Sequence, residues 1–330
     1  MTTEKITGEP TVLVDEQADY LISMAARAPS VHNTQPWRFK VGPQAIELFA
    51  DTSRKLRTDP LGREMLISCG AAVFGLRLAV RSLGYLPVAE LLPEPDRLRL
   101  LARVRAGQPA AMTAAERAML EAVPHRHTHR GPFEPGPLPA HLLAGLQHDA
   151  VAEGATLALA DQHAYAKLVA IMTPASRVRD RDDENRAEMR RWTREANDPA
   201  RDGVPAHAFA SRPADEAGRL RQRDFDLGRG FGRLTDGGSP PPATAVLLTS
   251  GDGRMDWLRA GQALHRVLLH AASQWVFAAL YTQPLEAAAT RKLIKTSLAL
   301  PGSPQVLLQL GVARATQATA RRPAAELLEP

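Results

Sequence analysis

A single cysteine, Cys69, is present among 330 residues, so the chain forms no intramolecular disulfide and suits a reducing compartment. Cys69 sits among apolar neighbours at the expected start of a helix and reads as a buried, inert thiol. Aromatic residues are scarce, at 5%, and lysine is scarcer, supplying six of the 41 basic residues while arginine supplies the rest. The net charge of +5 is spread along the chain and forms no stripe, which argues against a nucleic-acid partner. No apolar run reaches the length of a bilayer span, and Met1 to Pro10 lacks the apolar centre of a signal peptide, so the sequence reads as cytoplasmic with no membrane partner. G-x-S-x-G, H-E-x-x-H and a Walker loop are all missing, and with them the usual nucleophile, zinc and nucleotide-phosphate signatures. The length and the 44% apolar content suit one large or two ordinary globular domains.

The most distinctive stretch is Ala28-Pro29-Ser30-Val31-His32-Asn33-Thr34-Gln35-Pro36-Trp37. Before it, Ala18, Leu21, Ile22, Ala25 and Ala28 recur at helical spacing, with Asp15 placed to cap and Pro29 to terminate. After it, Trp37, Phe39 and Val41 alternate with Arg38 and Lys40, Gly42-Pro43 turns the chain, and Ile46, Leu48 and Ala50 alternate again, predicting a hairpin. A loop rich in hydrogen-bonding side chains is thereby fixed at both ends. Ser, Asn, Thr and Pro are also ordinary turn residues, so composition alone allows a purely structural loop.

A second polar stretch, Pro124-His125-Arg126-His127-Thr128-His129-Arg130, reads as extended because of its flanking prolines. Alternation then puts Arg126, Thr128 and Arg130 on one face and the three histidines on the other. Two guanidiniums and a hydroxyl offer directed donors to a phosphate. Alternating histidines can also bind a transition metal, but no carboxylate or cysteine with ligand spacing accompanies them, and a solvated basic loop is a further alternative. Two amphipathic helices, Cys69 to Leu83 and Asp256 to Ala279, form a faint internal repeat when Gly70 is laid over Gly261. Gln305 to Val312 has a buried-strand pattern and is followed by Arg321-Arg322-Pro323.

The order A-P-S-x-x-N-x-Q-P-W resembles the flavin-contacting loop of the nitroreductase-like FMN oxidoreductases, and Arg126-x-Thr128-x-Arg130 resembles the R-x-S-x-R/K element of the same family. Within it, the resemblance is to the Acg-like branch of NAD(P)H nitroreductases, carried by Asp59 to Glu64, Ser68 to Ala72, Asp202 to Pro205, Gly261 to Leu264 and Gln283 to Glu286. It covers nearly the whole chain. The resemblance implies an α+β fold made of two fused, similar halves, a pseudo-dimer in one chain, with mixed, mostly antiparallel sheets flanked by helices. The halves would be 1–120, carrying the ring-contacting loop, and 121–330, carrying the phosphate clamp. Each half lacks the motif of the other, which implies a single FMN per chain. Pro29, Ser30 and Asn33 would touch the flavin ring and Gln35 would anchor their loop. Arg126, Thr128 and Arg322, with Arg321 beside it, would hold the phosphate, and Arg130 would stabilise negative charge on the reduced ring.

Because a flavin carries the hydride chemistry, no catalytic residue and no metal ligand is expected from the protein. The implied activity is NAD(P)H-dependent, ping-pong reduction of a small nitroaromatic or quinone-type acceptor. An alternative is flavin sequestration beneath a lid, roughly 189–234, which contains Trp192, Phe209, Phe225 and Phe231 and a possible hinge at Gly228 to Gly232; a bland surface loop is its rival. A fused dimer can act as a monomer, with further association left open.

Overall fold

The computed structural model describes residues 15–195, 197–209, 211–213, 219–229, 233–235, 243–313 and 318–329. The architecture is α+β. Helix α1 (Asp15–Ala25) leads through the polar loop into a hairpin, β1 (Trp37–Val41) and β2 (Ile46–Ala50), paired with Trp37 opposite Ala50. The side chain of Asp15, the expected cap, lies outside the described residues. Helix α2 (Arg63–Ser82) follows, then β3 (Tyr85–Leu91) and β4 (Leu100–Pro109), completing an antiparallel sheet of order β1-β2-β4-β3. Helix α3 (Ala114–Ala122) opens on a capping box in which Thr113 and Glu116 satisfy each other's backbone amides.

After the extended segment come α4 (Ala140–Ala152), β5 (Thr156–Leu159), α5 (Gln162–Asp180) and α6 (Asp183–Arg191). Four short strands, β6 (Thr193–Arg194), β7 (Val204–Pro205), β8 (Ser211–Pro213) and β9 (Arg233–Thr235), pair parallel as β6-β7 and β8-β9. Then β10 (Ala243–Thr249), α7 (Arg254–Ser273), β11 (Val276–Leu280), α8 (Ala288–Ser297) and β12 (Ser303–Val312) complete a second antiparallel sheet, β11-β12-β10-β5.

Helices α2 and α7 pack on each other at the centre. Gly70 and Gly261, the two residues that anchor the sequence repeat, make the crossing: a Cβ on Gly70 would collide with the Leu258 carbonyl, and one on Gly261 with the Ile67 carbonyl. Helix α2 is apolar and long enough to span a bilayer by composition, yet 89% of that window is buried inside the protein, where it forms the core. Both central helices differ from the sequence expectation. The first begins six residues earlier, at Arg63 after the left-handed Gly62, so Cys69 is buried in mid-helix and not at its start. The second ends at Ser273, because Trp275 takes a positive φ and Val276-Phe277-Ala278-Ala279-Leu280 joins the sheet. The end of the chain crosses back onto the first sheet: Leu328 bridges Phe39, and the amide of Glu329 donates to the Phe39 carbonyl. Residues 318–329 therefore belong in space with the strands before residue 120, although in sequence they fall in the second expected half.

Candidate functional site

Among the described residues, the loop after α1 carries the densest run of unusual backbone. His32, Asn33 and Gln35 all have φ near +50°, the left-handed region that non-glycine residues seldom enter, at a cost of roughly 1–3 kcal/mol each. Side chains hold it there. Ser30 Oγ accepts from the Gln35 amide at 3.0 Å, and Ser68 Oγ accepts from the Val31 amide at 3.2 Å. Gln35 is fully buried: its Nε2 donates to the Arg201 carbonyl at 2.8 Å and its Oε1 accepts from the Arg322 amide at 2.9 Å. Gln35 thus ties the loop to residues 201 and 322, and it lines neither of the two cavities described below. Asn33 Nδ2 donates to the carbonyls of Gly203 (3.0 Å) and Ala320 (3.2 Å), leaving a buried Oδ1 without a partner.

The 124–130 segment is extended, with Thr128 bridging Ala278 and the His129 amide donating to the Ala278 carbonyl at 2.8 Å. Its histidines pack on neighbouring aromatic rings, and His127 and His129 also border the cavities described below. His125 stacks on Trp275, His127 lies against Phe277 and His129 against Phe133. No group of three or more potential metal ligands exists among the described residues. Burial pushes the His127 imidazole down to about 4, so it is neutral near pH 7.

The arginine face meets the polar loop. Pro29, Ser30, Asn33, Arg126, Thr128, Arg130, Thr319 and Arg321 line a small cavity of about 340 Å³. Around it, burial and neighbouring guanidiniums lower three arginines: Arg126 and Arg130 to about 10 and Arg321 to about 9. Arg126 is buried and makes one bond, from Nη2 to the Arg27 carbonyl at 3.3 Å, leaving Nε and Nη1 without partners; Arg321 Nε is also without one. Uncompensated buried cations are costly unless an anion joins them, and these donors sit where a phosphate would fit. Arg322, which the family resemblance had placed on the phosphate, does not line the cavity. Its guanidinium bonds the Glu326 carbonyl at 2.6 Å and keeps a buried Nη1 without a partner, while Arg321 lines the cavity.

Pro29, Ser30, Thr128 and Arg130 also border a larger cavity of about 840 Å³, which Val31, His32, Ile67, Ser68, Leu264 and Val306 line further in. Glu64 enters this cavity buried, with neither carboxylate oxygen hydrogen-bonded. Gln222, Arg223 and Phe225, from the segment expected as a lid, form another wall. Phe225 meets His32 edge-on with centroids 5.5 Å apart and covers the Arg130 guanidinium at 5.3 Å. Arg223 donates to His32 Nε2 at 2.7 Å and pairs with buried Glu286 at 2.7 Å. Burial, then Arg223 and Arg130, hold His32 well below its usual value, so it is neutral and can accept. Burial raises Glu286 to about 7 even against Arg223. Asp202, beside the Gly203 that bonds Asn33, pairs with Arg54 at 2.8 Å and ties the segment to the first sheet's side. Of the proposed hinge, Gly228 is left-handed and open, while Gly230, Phe231 and Gly232 lie outside the described residues.

Sequence reasoning missed His32, Glu64, Arg223 and Glu286 as site residues. His32 and Glu64 lay inside the motifs quoted above; nothing in the sequence distinguishes Arg223 from its 34 fellow arginines.

No family model matches the chain. A Mycobacterium tuberculosis protein named as a putative NAD(P)H nitroreductase is 34% identical over 295 residues, covering 88% of this chain and 83% of the relative. A second, named acg, also as a putative NAD(P)H nitroreductase, is 29% identical and covers 96% of both chains. An uncharacterized protein of the same organism is 32% identical over 325 residues, covering 93% of this chain and 91% of its own. Among solved structures, a Desulfitobacterium hafniense nitroreductase with bound FMN overlaps 64% of this chain and 97% of its own, at 12% identity and a TM-score of 0.40.

Proposed function

Since the chain belongs to the Acg-like nitroreductase family, we propose that it binds one FMN per chain and acts as an NAD(P)H-dependent oxidoreductase on a small nitroaromatic or quinone-type acceptor. The observation that carries this reading is the trio of guanidiniums, Arg126, Arg130 and Arg321, of which Arg126 and Arg321 keep donors without a partner, around a small cavity that shares a wall with a larger, mainly apolar one. That pairing suits a phosphate with a planar ring attached. Arg126, Thr128 and Arg321 would hold the phosphate. Pro29 and Ser30 would flank the ring, and Arg130 would keep positive charge beside it. When bound, the flavin would supply the hydride chemistry, taking the hydride from the nicotinamide and giving it to the acceptor in ping-pong order.

The two sheets, with α2 and α7 packed at the centre, support descent from a fused pair of subunits, and we propose that the chain acts as a cytoplasmic monomer. In this view the loop comes from one half and the clamp from the other. A second reading, flavin sequestration, is favoured by one feature: Phe225 and Arg223 occupy a wall of the ring cavity and are tied down by His32 and Glu286. An absorbance spectrum of purified protein before and after anaerobic NADPH and NADH separates the two. Bleaching supports the reductase, persistent flavin bands support sequestration, and no bands after reconstitution with FMN would sink both.

A further inference from the structure

A second cleft, of about 830 Å³, lies where α5 and α6 meet the 219–229 segment, and the flavin reading leaves it unused. Arg177, Arg181 and Arg186 line it from the helices, Arg221 and Arg223 from the segment, and Asp180 and Asp224 are its acidic residues. Asp180 is engaged by Arg221 at 2.9 Å and by Gln283 at 3.2 Å, and Arg223 by His32 and Glu286. Among the described residues, Arg177, Arg181 and Arg186 make no ion pair and no side-chain hydrogen bond, and the cleft keeps a surplus of positive charge. Helix electrostatics accounts for Arg177, which lies in the last turn of α5 where a cation is favourable. It does not account for Arg186, which lies near the beginning of α6, the positive end of that helix.

Position gives the charge a use. Arg223 borders both this cleft and the ring cavity, so a ligand with an apolar ring in one and anionic groups in the other would pass alongside it. We infer that the cleft receives the phosphate groups of the nicotinamide dinucleotide donor, an inference that rests on the oxidoreductase reading above. Guanidiniums are well matched to phosphoryl oxygens, and a solvent-facing cluster attracts such anions in a salt-dependent way.

The test titrates adenosine 2′,5′-bisphosphate, NADP⁺ and NAD⁺ calorimetrically into the full chain at low salt, in the wild type and in an Arg177→Glu, Arg181→Glu double variant. The expected result is binding that weakens at least about tenfold in the variant, the effect of losing roughly one charge-assisted hydrogen bond. Weakening for NADP⁺ and the bisphosphate alone assigns the cleft to the 2′-phosphate; weakening for NAD⁺ as well assigns it to the diphosphate bridge. Equal affinity in wild type and variant overturns the inference, as does no binding to the wild type. FMN content, read by absorbance in the same samples, keeps the two readings apart. Full flavin with unchanged dinucleotide affinity defeats the cleft alone, whereas a chain that takes no FMN but binds the bisphosphate defeats the flavin reading. If the double variant fails to fold, Arg177→Gln, Arg181→Gln serves instead, with the same outcomes.

Discussion

Replacing Arg126 with Met should move two measurements in opposite directions. In the protein without bound anion, the Arg126 guanidinium is buried, and burial with Arg130 and Arg27 lowers it to about 10, well below the usual guanidinium range. That displacement corresponds to roughly 3 kcal/mol of unfavourable charge burial. Met keeps most of the apolar stem and removes the charge, at the loss of one charged hydrogen bond to the Arg27 carbonyl, about 2 kcal/mol. The flavin-free variant should therefore be about 1 kcal/mol more stable than the wild type, with a melting midpoint roughly 2 °C higher. FMN affinity should fall at least about a hundredfold, because the two unpartnered donors Nε and Nη1 are lost to the phosphate, each worth roughly 1.5–3 kcal/mol. Differential scanning fluorimetry with and without FMN reads both effects, since ligand stabilisation grows with the ratio of ligand concentration to Kd. A variant with a lower flavin-free midpoint and undiminished FMN affinity would refute the reasoning, since Arg126 would then be a structural cation.

Three further outcomes are expected. Phe225→Ala removes the ring that covers Arg130 and meets His32, within a small cluster of Met189, Val204, Ala206 and Phe209; the 219–229 segment should loosen locally, and iodide quenching of bound flavin should rise severalfold while the global unfolding midpoint in urea stays nearly constant. Gly70→Ala forces apart two helix backbones that have no side chain to yield, and should cost at least about 3 kcal/mol in urea unfolding, whereas Gly84→Ala, with open space around it but a positive φ, should cost only about 1. For pH, Glu286 is raised to about 7 in the folded chain, so its contribution to stability is full below its unfolded value of 4.5 and is lost as pH rises through 7. His265 and His127, lowered by burial to about 3 and 4, act with the opposite sign: their contribution is full above about 6.5 and is lost on acidification. In flavin-free protein, Glu286→Gln should make stability fall more steeply between pH 7 and 4.5, by up to roughly 1.4 kcal/mol per pH unit, in urea titrations across that range. An unchanged slope would remove Glu286 from the account.

Local pattern made the hairpin legible, because Trp37 and Phe39 alternate with polar neighbours and a Gly-Pro turn separates the strands. The extended arginine face was legible for the same reason, since period-two alternation sorts side chains without any tertiary knowledge. Helix ends were less so. Trp275 ends α7 through a left-handed backbone that its residue type does not announce, and the apolar run after it suits helix and strand equally. Choosing between Arg321 and Arg322 depended on which guanidinium Glu326 captures, a contact made only when the chain end folds back onto β1. Arg223 was invisible because its role comes from His32 and Glu286, 191 and 63 positions away.

The contact of Gly70 with the Leu258 carbonyl and of Gly261 with the Ile67 carbonyl makes the central crossing a fixed gauge. The polar loop is tied to α2 through Ser68 and the clamp to the strand after α7 through Ala278, so both rest on elements joined at that crossing. Repacking side chains cannot widen or narrow it. Change in ligand preference is then left to the parts that stand free of the gauge, the 219–229 segment and the chain end that carries Arg321.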